Sequence, residues 1–392
     1  MKTKYQCTVL GNGVTVASAT MPGMDSICVG VWARTGSRYE EAGVNGVSHF
    51  IEHLLFKGTT HRNAFELSDD IEGIGGTSNA FTAEENTCFF ARSRSSHLEI
   101  MLDVLLDMYC NATFPAGEIR KEREVVYEEI AMTYDQPSLY VQELLNTLQW
   151  RNHPLGRPIT GTERGLSKVR RADILDYFHR HYVGKNTWII AAGNVDHETL
   201  VDLSKKMSQN LTVGEVNSYE PFVSHQRRPR VLCRKKDTDQ TQLALGIRTF
   251  ERGYAKRYAL RVANTLIGEN SSSLLFQSVR EKHGLAYSIG SSASVFYDVG
   301  DLVISAGVDA DRVEETLRLI LRELRRALAK PFSQKELMHA QEYVIGQFEL
   351  SLESTESQMI WLGESLLGGV PFITPDEVKD GIVQTTAEET KK

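Results

Sequence analysis

A chain of 392 residues with 41% hydrophobic content can bury two substantial cores, and is longer than one compact domain of ordinary size requires. The net charge of −7, with basic and acidic residues interspersed, gives no support to nucleic-acid binding and leaves room for a cleft that welcomes basic substrates. Five cysteines (Cys7, Cys28, Cys88, Cys110 and Cys233) are widely spaced and form no CxxC, which argues against a disulfide framework or a cysteine-built metal site and for a reducing compartment. The opening MKTKYQCTVLGNG has neither an apolar signal-peptide core nor an arginine-rich transit-peptide face. No segment approaches the roughly 18 apolar residues of a membrane span. The expectation is a cytoplasmic protein.

TVLGNGVTVASA reads as two strands joined at Asn12-Gly13, a strong hairpin signal. SICVGVWART is a β-rich apolar run that fits a central strand. Helices are predicted over 45–57 and 63–73, followed by strand sequence in SNAFTAEENTCFFARS. HLEIMLDVLLDMYC has helical periodicity. Pro115 then suits the first turn of a helix running to about Tyr134, where Asp135-Gln136-Pro137 ends it. Helices at roughly 138–150 and 169–181 lead to the apolar strand NTWIIAAGNV. Residues 1–212 thus form an α+β domain, and 213–229 read as a polar, proline-containing linker.

Across 230–392 the order of elements repeats. QLALGIRTF answers ICVGVWART, and YALRVANTLIG answers the helix around residue 50. SVREKHGLAYSIGSSASVFYDVGDLVISAGV answers DDIEGIGGTSNAFTAEENTCFFARS, and DRVEETLRLILRELRRAL answers HLEIMLDVLLDM. Duplicated halves are expected to form pseudo-equivalent domains. The second half has no counterpart of NTWIIAAGNV.

The first half alone holds HFIEH, residues 49–53. On a helix His49 and His53 project from one face a turn apart, and imidazoles so placed can hold one zinc at about 2 Å per bond. Glu52 is close enough to face a water without being forced to ligate the ion. Histidines packed on the core, with Glu52 in solvent, are the bland alternative. The complete HxxEH string favours zinc, since it is the inverted zincin motif.

A catalytic zinc site needs a third protein ligand. In EIRKEREVVYEEIAMTY, Ile119, Glu122, Val126 and Glu129 fall on one helix face. Uncompensated carboxylates on a partly apolar stripe are costly. One acting as a metal ligand and one bonded to a ligating histidine would remove that cost. An acidic rim with a local salt bridge to Arg120, Lys121 or Arg123 is the alternative. The implied chemistry is metal-assisted hydrolysis with Glu52 moving the protons. For oxyanion stabilisation Arg280 and Tyr287 qualify by residue type alone, and on that basis an ordinary surface pair is the better account of them.

HFIEHLLFKGT and EREVVYEEI resemble the zinc-helix motif and the distal segment of the pitrilysin / insulin-degrading enzyme family. The likeness is strongest to its short-chain bacterial members and to the catalytic subunit of the mitochondrial processing peptidase. It covers nearly the whole chain. It implies that the third zinc ligand is Glu129, 76 positions after His53, and that Glu122 is the supporting glutamate. GGTSNAFTAEENT resembles the stretch that engages substrate backbone, which implies substrate binding at Asn79, Ala80 and Phe81. REKHGLAY implies a substrate-binding role for Arg280 and Tyr287.

The implied fold is α+β, with two homologous domains, each a mostly antiparallel sheet packed with helices, of the metalloenzyme LuxS/pitrilysin-like type. The implied activity is that of a zinc metalloendopeptidase, one Zn2+ per chain, acting on peptides or unfolded segments in an interdomain chamber. Full-size members join four such domains, so a two-domain chain implies a homodimer, with a heterodimer as the alternative. A non-catalytic peptide-binding or assembly subunit is the competing function, although such subunits have usually lost zinc ligands that are all present here. Two departures stand out: LIGENSSSLLF lacks the long glycine-rich loop of the non-catalytic mitochondrial subunit, and TTAEETKK falls where the family usually continues into a final helix and strand.

Overall fold

The computed structural model describes residues 3–391. Strands β1 (Lys4–Val9), β2 (Thr15–Thr20), β3 (Ser26–Ala33), β4 (Thr77–Thr82), β5 (Thr87–Arg94) and β6 (Thr187–Gly193) make one sheet in the order β1-β2-β6-β3-β5-β4. All its pairings are antiparallel except β2 with β6. Its helices are α1 (Val47–Leu55), α2 (Ala64–Glu72), α3 (Leu98–Asn111), α4 (Ala116–Asp135), α6 (Glu163–Leu166), α7 (Arg171–His181) and α8 (His197–Met207), with α5 (Pro137–Gln149) lying between α4 and α6 in sequence. A second sheet has β7 (Thr241–Thr249), β8 (Ala286–Val295) and β9 (Gly300–Val308) in the order β7-β9-β8, with α9 (Arg257–Asn264), α10 (Val313–Ala329), α11 (Gln334–Ser351) and α13 (Pro375–Val383), while α12 (Thr355–Leu367) lies between α11 and α13 in sequence.

The repeat is topological. β3-β5-β4 and β7-β9-β8 share order and antiparallel pairing, and each is followed by a long helix, α3 or α10. β3 is buried because β6 pairs with its other edge. β7 has a similar apolar sequence but pairs only with β9 among the described residues, and it stays half-buried. Among the described residues no strand takes the place beside β7 that β6 takes beside β3.

The chain divides into two compact units. One takes the described residues up to Met132, His153–Glu220 and Ser351–Leu367; the other takes Thr133–Asn152, Pro221–Leu350 and Gly368 to the end of the described residues. No helix or strand forms in 213–229, but the division departs from the contiguous one expected around that linker. The reason is the exchange of two helices. In the first unit, alternation on β3 sends Ile27, Val29, Val31 and Ala33 into the main core, while Trp32 faces α12. There Trp32 Nε1 donates to Met359 Sδ at 3.3 Å, and a Cβ on Gly363 would come within 2.4 Å of the indole. In the second unit α5 covers β7, where a Cβ on Gly246 would strike Gln149 and Leu145. Among the described residues no helix is long and apolar enough to cross a membrane.

Candidate metal centre

Helix α1 is built from two stripes. Val47, Phe50, Ile51, Leu54 and Leu55 follow the i, i+3, i+4 spacing of a core face and are all buried. That register leaves His49, Glu52 and His53 together on the opposite face. Helix α4 does the same with Ile119, Glu122 and Val126 buried along one side, and Glu129 two turns beyond Glu122.

The two helices bring His49, His53 and Glu129 together, with one donor atom from each lying within 4.8 Å of the others. Both Nε2 atoms face the Glu129 carboxylate, His49 at 3.5 Å from Oε2 and His53 at 3.5 Å from Oε1. These gaps exceed an ordinary N–H···O bond. Two donors on one tetrahedral ion at about 2 Å lie roughly 3.3 Å apart. The donor set of two imidazoles and a carboxylate is one that zinc takes, so the residues fit such an ion. Burial, followed by repulsion from His53, lowers the His49 pKa to about 4, which keeps its ring neutral and a nitrogen lone pair free at neutral pH. His49 Nδ1 is buried without a hydrogen-bond partner.

Glu122 is buried and bonds on both sides: Oε2 lies 3.3 Å from His53 Nδ1, and Oε1 pairs with Lys57 Nζ at 2.9 Å. The alternative of a local ion pair with a neighbour on its own helix does not occur; Lys121 instead pairs with Glu118 at 2.7 Å. Glu52 accepts a hydrogen bond from Thr82 Oγ1 at 2.5 Å. Its carboxyl is pushed up from the ordinary value by burial and by the nearby Glu129, against the Thr82 bond and His53.

Thr82 ends β4, the edge strand of its sheet, so the carboxylate of Glu52 is tied to that edge. Asn79, Ala80 and Phe81 lie on the same strand. Asn79 is exposed, and its Oδ1 accepts from the Ala80 N–H at 2.8 Å. Phe81 is half-buried, its ring edge-on to that of Trp32 at 5.4 Å.

Arg280 and Tyr287 belong to the other unit, and they lie together. The Arg280 guanidinium is 5.9 Å from the centre of the Tyr287 ring and 4.8 Å from that of Phe276. Arg280 lies in a π-helical turn, Phe276–Lys282, and the β8–β9 register shifts between Ala286 and Ser288, at Tyr287. Both irregularities are of the kind that re-aim side chains. Tyr287 is 76% exposed.

Three further residues were not singled out from the sequence. Thr82 and Lys57 bond the two glutamates that were. Glu40 binds the N-terminus of α1; burial pushes its carboxyl up, while the Ser48 and Gly46 N–H groups and Asn45 pull the other way. An acidic residue just before a helix with no capping side chain is the signal that points to Glu40.

A two-unit α+β chain with a His–His–Glu cluster between α1 and α4 has the architecture of one class of metallopeptidase. Residues 15–163 match the insulinase family (peptidase family M16), and residues 168–344 match the M16 inactive domain. The chain belongs to the M16/pitrilysin peptidase superfamily. It is 39% identical over 367 residues to the uncharacterized zinc protease YmxG of Bacillus subtilis, covering 93% of this chain and 88% of that one. An uncharacterized zinc protease of Rickettsia bellii is 31% identical over 388 residues, covering 99% of this chain and 93% of that one. The crystal structure of a protease from Helicobacter pylori shares the fold with a TM-score of 0.92, at 22% identity over 100% of this chain and 95% of that one.

Proposed function

We propose that this chain is a zinc metalloendopeptidase acting on peptides or unfolded segments. The observation that carries the reading is the facing of His49 and His53 Nε2 onto both oxygens of Glu129, with Glu52 on the same helix face. Zinc held there would supply a Lewis acid that polarises a carbonyl and lowers the pKa of water. Glu52 takes a proton from the attacking water and returns one to the leaving amine. Glu122 holds His53 through Nδ1, which leaves Nε2 as the donor.

Substrate lies as an added strand along β4, at Asn79, Ala80 and the Phe81 backbone. Thr82 at the end of that strand links the edge to Glu52. Strand addition needs an extended backbone, which favours unfolded segments over folded proteins. Arg280 and Tyr287 act as substrate-binding residues; their mutual contact and the exposed ring support that role. The relatives' name of zinc protease agrees with the reading. The active form is a homodimer, which mass in solution checks; a monomer that cleaves at full rate contradicts it.

Metal content and cleavage of an unstructured peptide, measured together for the wild type and His49→Ala/His53→Ala, test the function. The wild type binds one zinc and cleaves, and the double variant does neither. A double variant that still cleaves overturns the assignment.

A further inference from the structure

Glu40 is 3% exposed and precedes α1 in the chain. Its carboxylate accepts from three donors around the start of that helix. Oε2 takes the Gly46 N–H at 2.7 Å and Asn45 Nδ2 at 2.8 Å, and Oε1 takes the Ser48 N–H at 2.8 Å. A side chain at the N-cap position ordinarily does this. Here the N-cap is Gly46 at φ +92, which has none. The position must be glycine, because a Cβ would lie 2.8 Å from Gly161 Cα and from Thr160 O. The cap therefore comes from six residues upstream.

The placement bears on His49, the third residue of α1. The bond to Ser48 N–H fixes the residue adjoining His49, and Ser48 Oγ bonds Tyr177 Oη at 2.9 Å, which in turn bonds Thr35 Oγ1 at 2.7 Å. The end of α1 also carries a positive partial charge of about +0.5, adverse to a cation held in the same turn. A buried carboxylate at that end offsets it. We propose that Glu40 is a positioning residue of the metal centre, holding the first turn of α1 in place and cancelling its positive end so that His49 can share a divalent cation. The proposal rests on the reading of His49, His53 and Glu129 as metal ligands.

The test is zinc affinity by chelator competition, with the absorption spectrum of the Co2+-loaded protein, on the full chain. The comparison is wild type, Glu40→Gln, Glu40→Asp and Glu66→Gln. Glu66 is a control of like chemistry, accepting the Asn63 N–H at 2.7 Å at the start of α2, which bears no ligand. Glu40→Gln binds zinc about 10–100-fold more weakly, with a displaced Co2+ band. Glu40→Asp recovers part of the loss, and Glu66→Gln matches wild type. Wild-type affinity in Glu40→Gln overturns the proposal, as does an equal loss in Glu66→Gln. Where Glu40→Gln does not fold, Glu40→Asp carries the comparison, and wild-type affinity there overturns it. A wild type that binds neither metal overturns the ligand reading itself, a different result from a metal-binding wild type that Glu40→Gln leaves unchanged.

Discussion

The Glu122 carboxylate stands between His53 and Lys57, with Oε2 at 3.3 Å from His53 Nδ1 and Oε1 at 2.9 Å from Lys57 Nζ. A carboxylate on an otherwise apolar helix face is tolerated because both oxygens are occupied. The bond to Nδ1 also selects the ring nitrogen left for a metal. Glu122→Gln keeps the shape and removes the charge. It is expected to weaken zinc binding by about 10–100-fold, read by chelator competition, while Lys57 is left without its partner. Unchanged affinity would leave Glu122 a purely structural residue.

Thr82 Oγ1 donates to Glu52 Oε2 at 2.5 Å. The bond aims a carboxylate that would otherwise be free to rotate on the helix. Thr82→Val keeps the volume and the β-branch. Its kcat on a peptide substrate is expected to fall roughly tenfold, the worth of one hydrogen bond to a charged group, with zinc content unchanged. Loss of zinc in this variant would mean that Thr82 acts on the ligands instead.

Much of the centre could be read in the sequence, because helical spacing converts letters directly into faces. His49, Glu52 and His53 fall on one stripe, and Glu122 and Glu129 fall on another. Glu40 was signalled only by its place ahead of a helix without a capping side chain, and Thr82 and Lys57 were not legible in that way. Each acts across a gap between elements, and periodicity says nothing of which elements meet. The exchange of α5 and α12 escaped for the same reason: both are ordinary helical stretches, and only the indole of Trp32 against Gly363 shows why α12 lies on β3. β7 is half-buried because among the described residues it pairs with β9 alone and so has one open edge.

The contact between Gly363 and Trp32 predicts a stability effect remote from the centre. A methyl group at residue 363 meets the ring at 2.4 Å, far inside van der Waals contact. Gly363→Ala is expected to destabilise the first unit by about 1–3 kcal/mol, measured by urea unfolding followed through tryptophan fluorescence. A stabilised variant, as an unobstructed helical glycine would give, would show that α12 does not rest on Trp32.

His181 is buried against Tyr177, with ring centroids 4.1 Å apart. Burial, and then the Arg180 charge, lower its pKa from 6.5 to about 4. The unfolded chain therefore binds more protons between those values, and stability falls as pH drops from about 6.5 towards 4, with no further loss from this group below that. The contribution is at most about 3 kcal/mol. Unfolding free energies at pH 7 and pH 5, compared between wild type and His181→Gln, isolate it. The wild type should lose more stability than the variant on acidification, and equal losses would contradict the burial argument.

The central claim is that Glu52 is the base of a zinc peptidase, and Glu52→Gln tests it most directly. Both proteins, loaded with zinc and matched in metal content, are given the same unstructured peptide, and the initial rate of cleavage is measured. The wild type is expected to cleave, and the variant to be slower by about 10²–10⁴-fold. A variant that cleaves as fast as the wild type, or a wild type that holds zinc and cleaves nothing, would contradict the account.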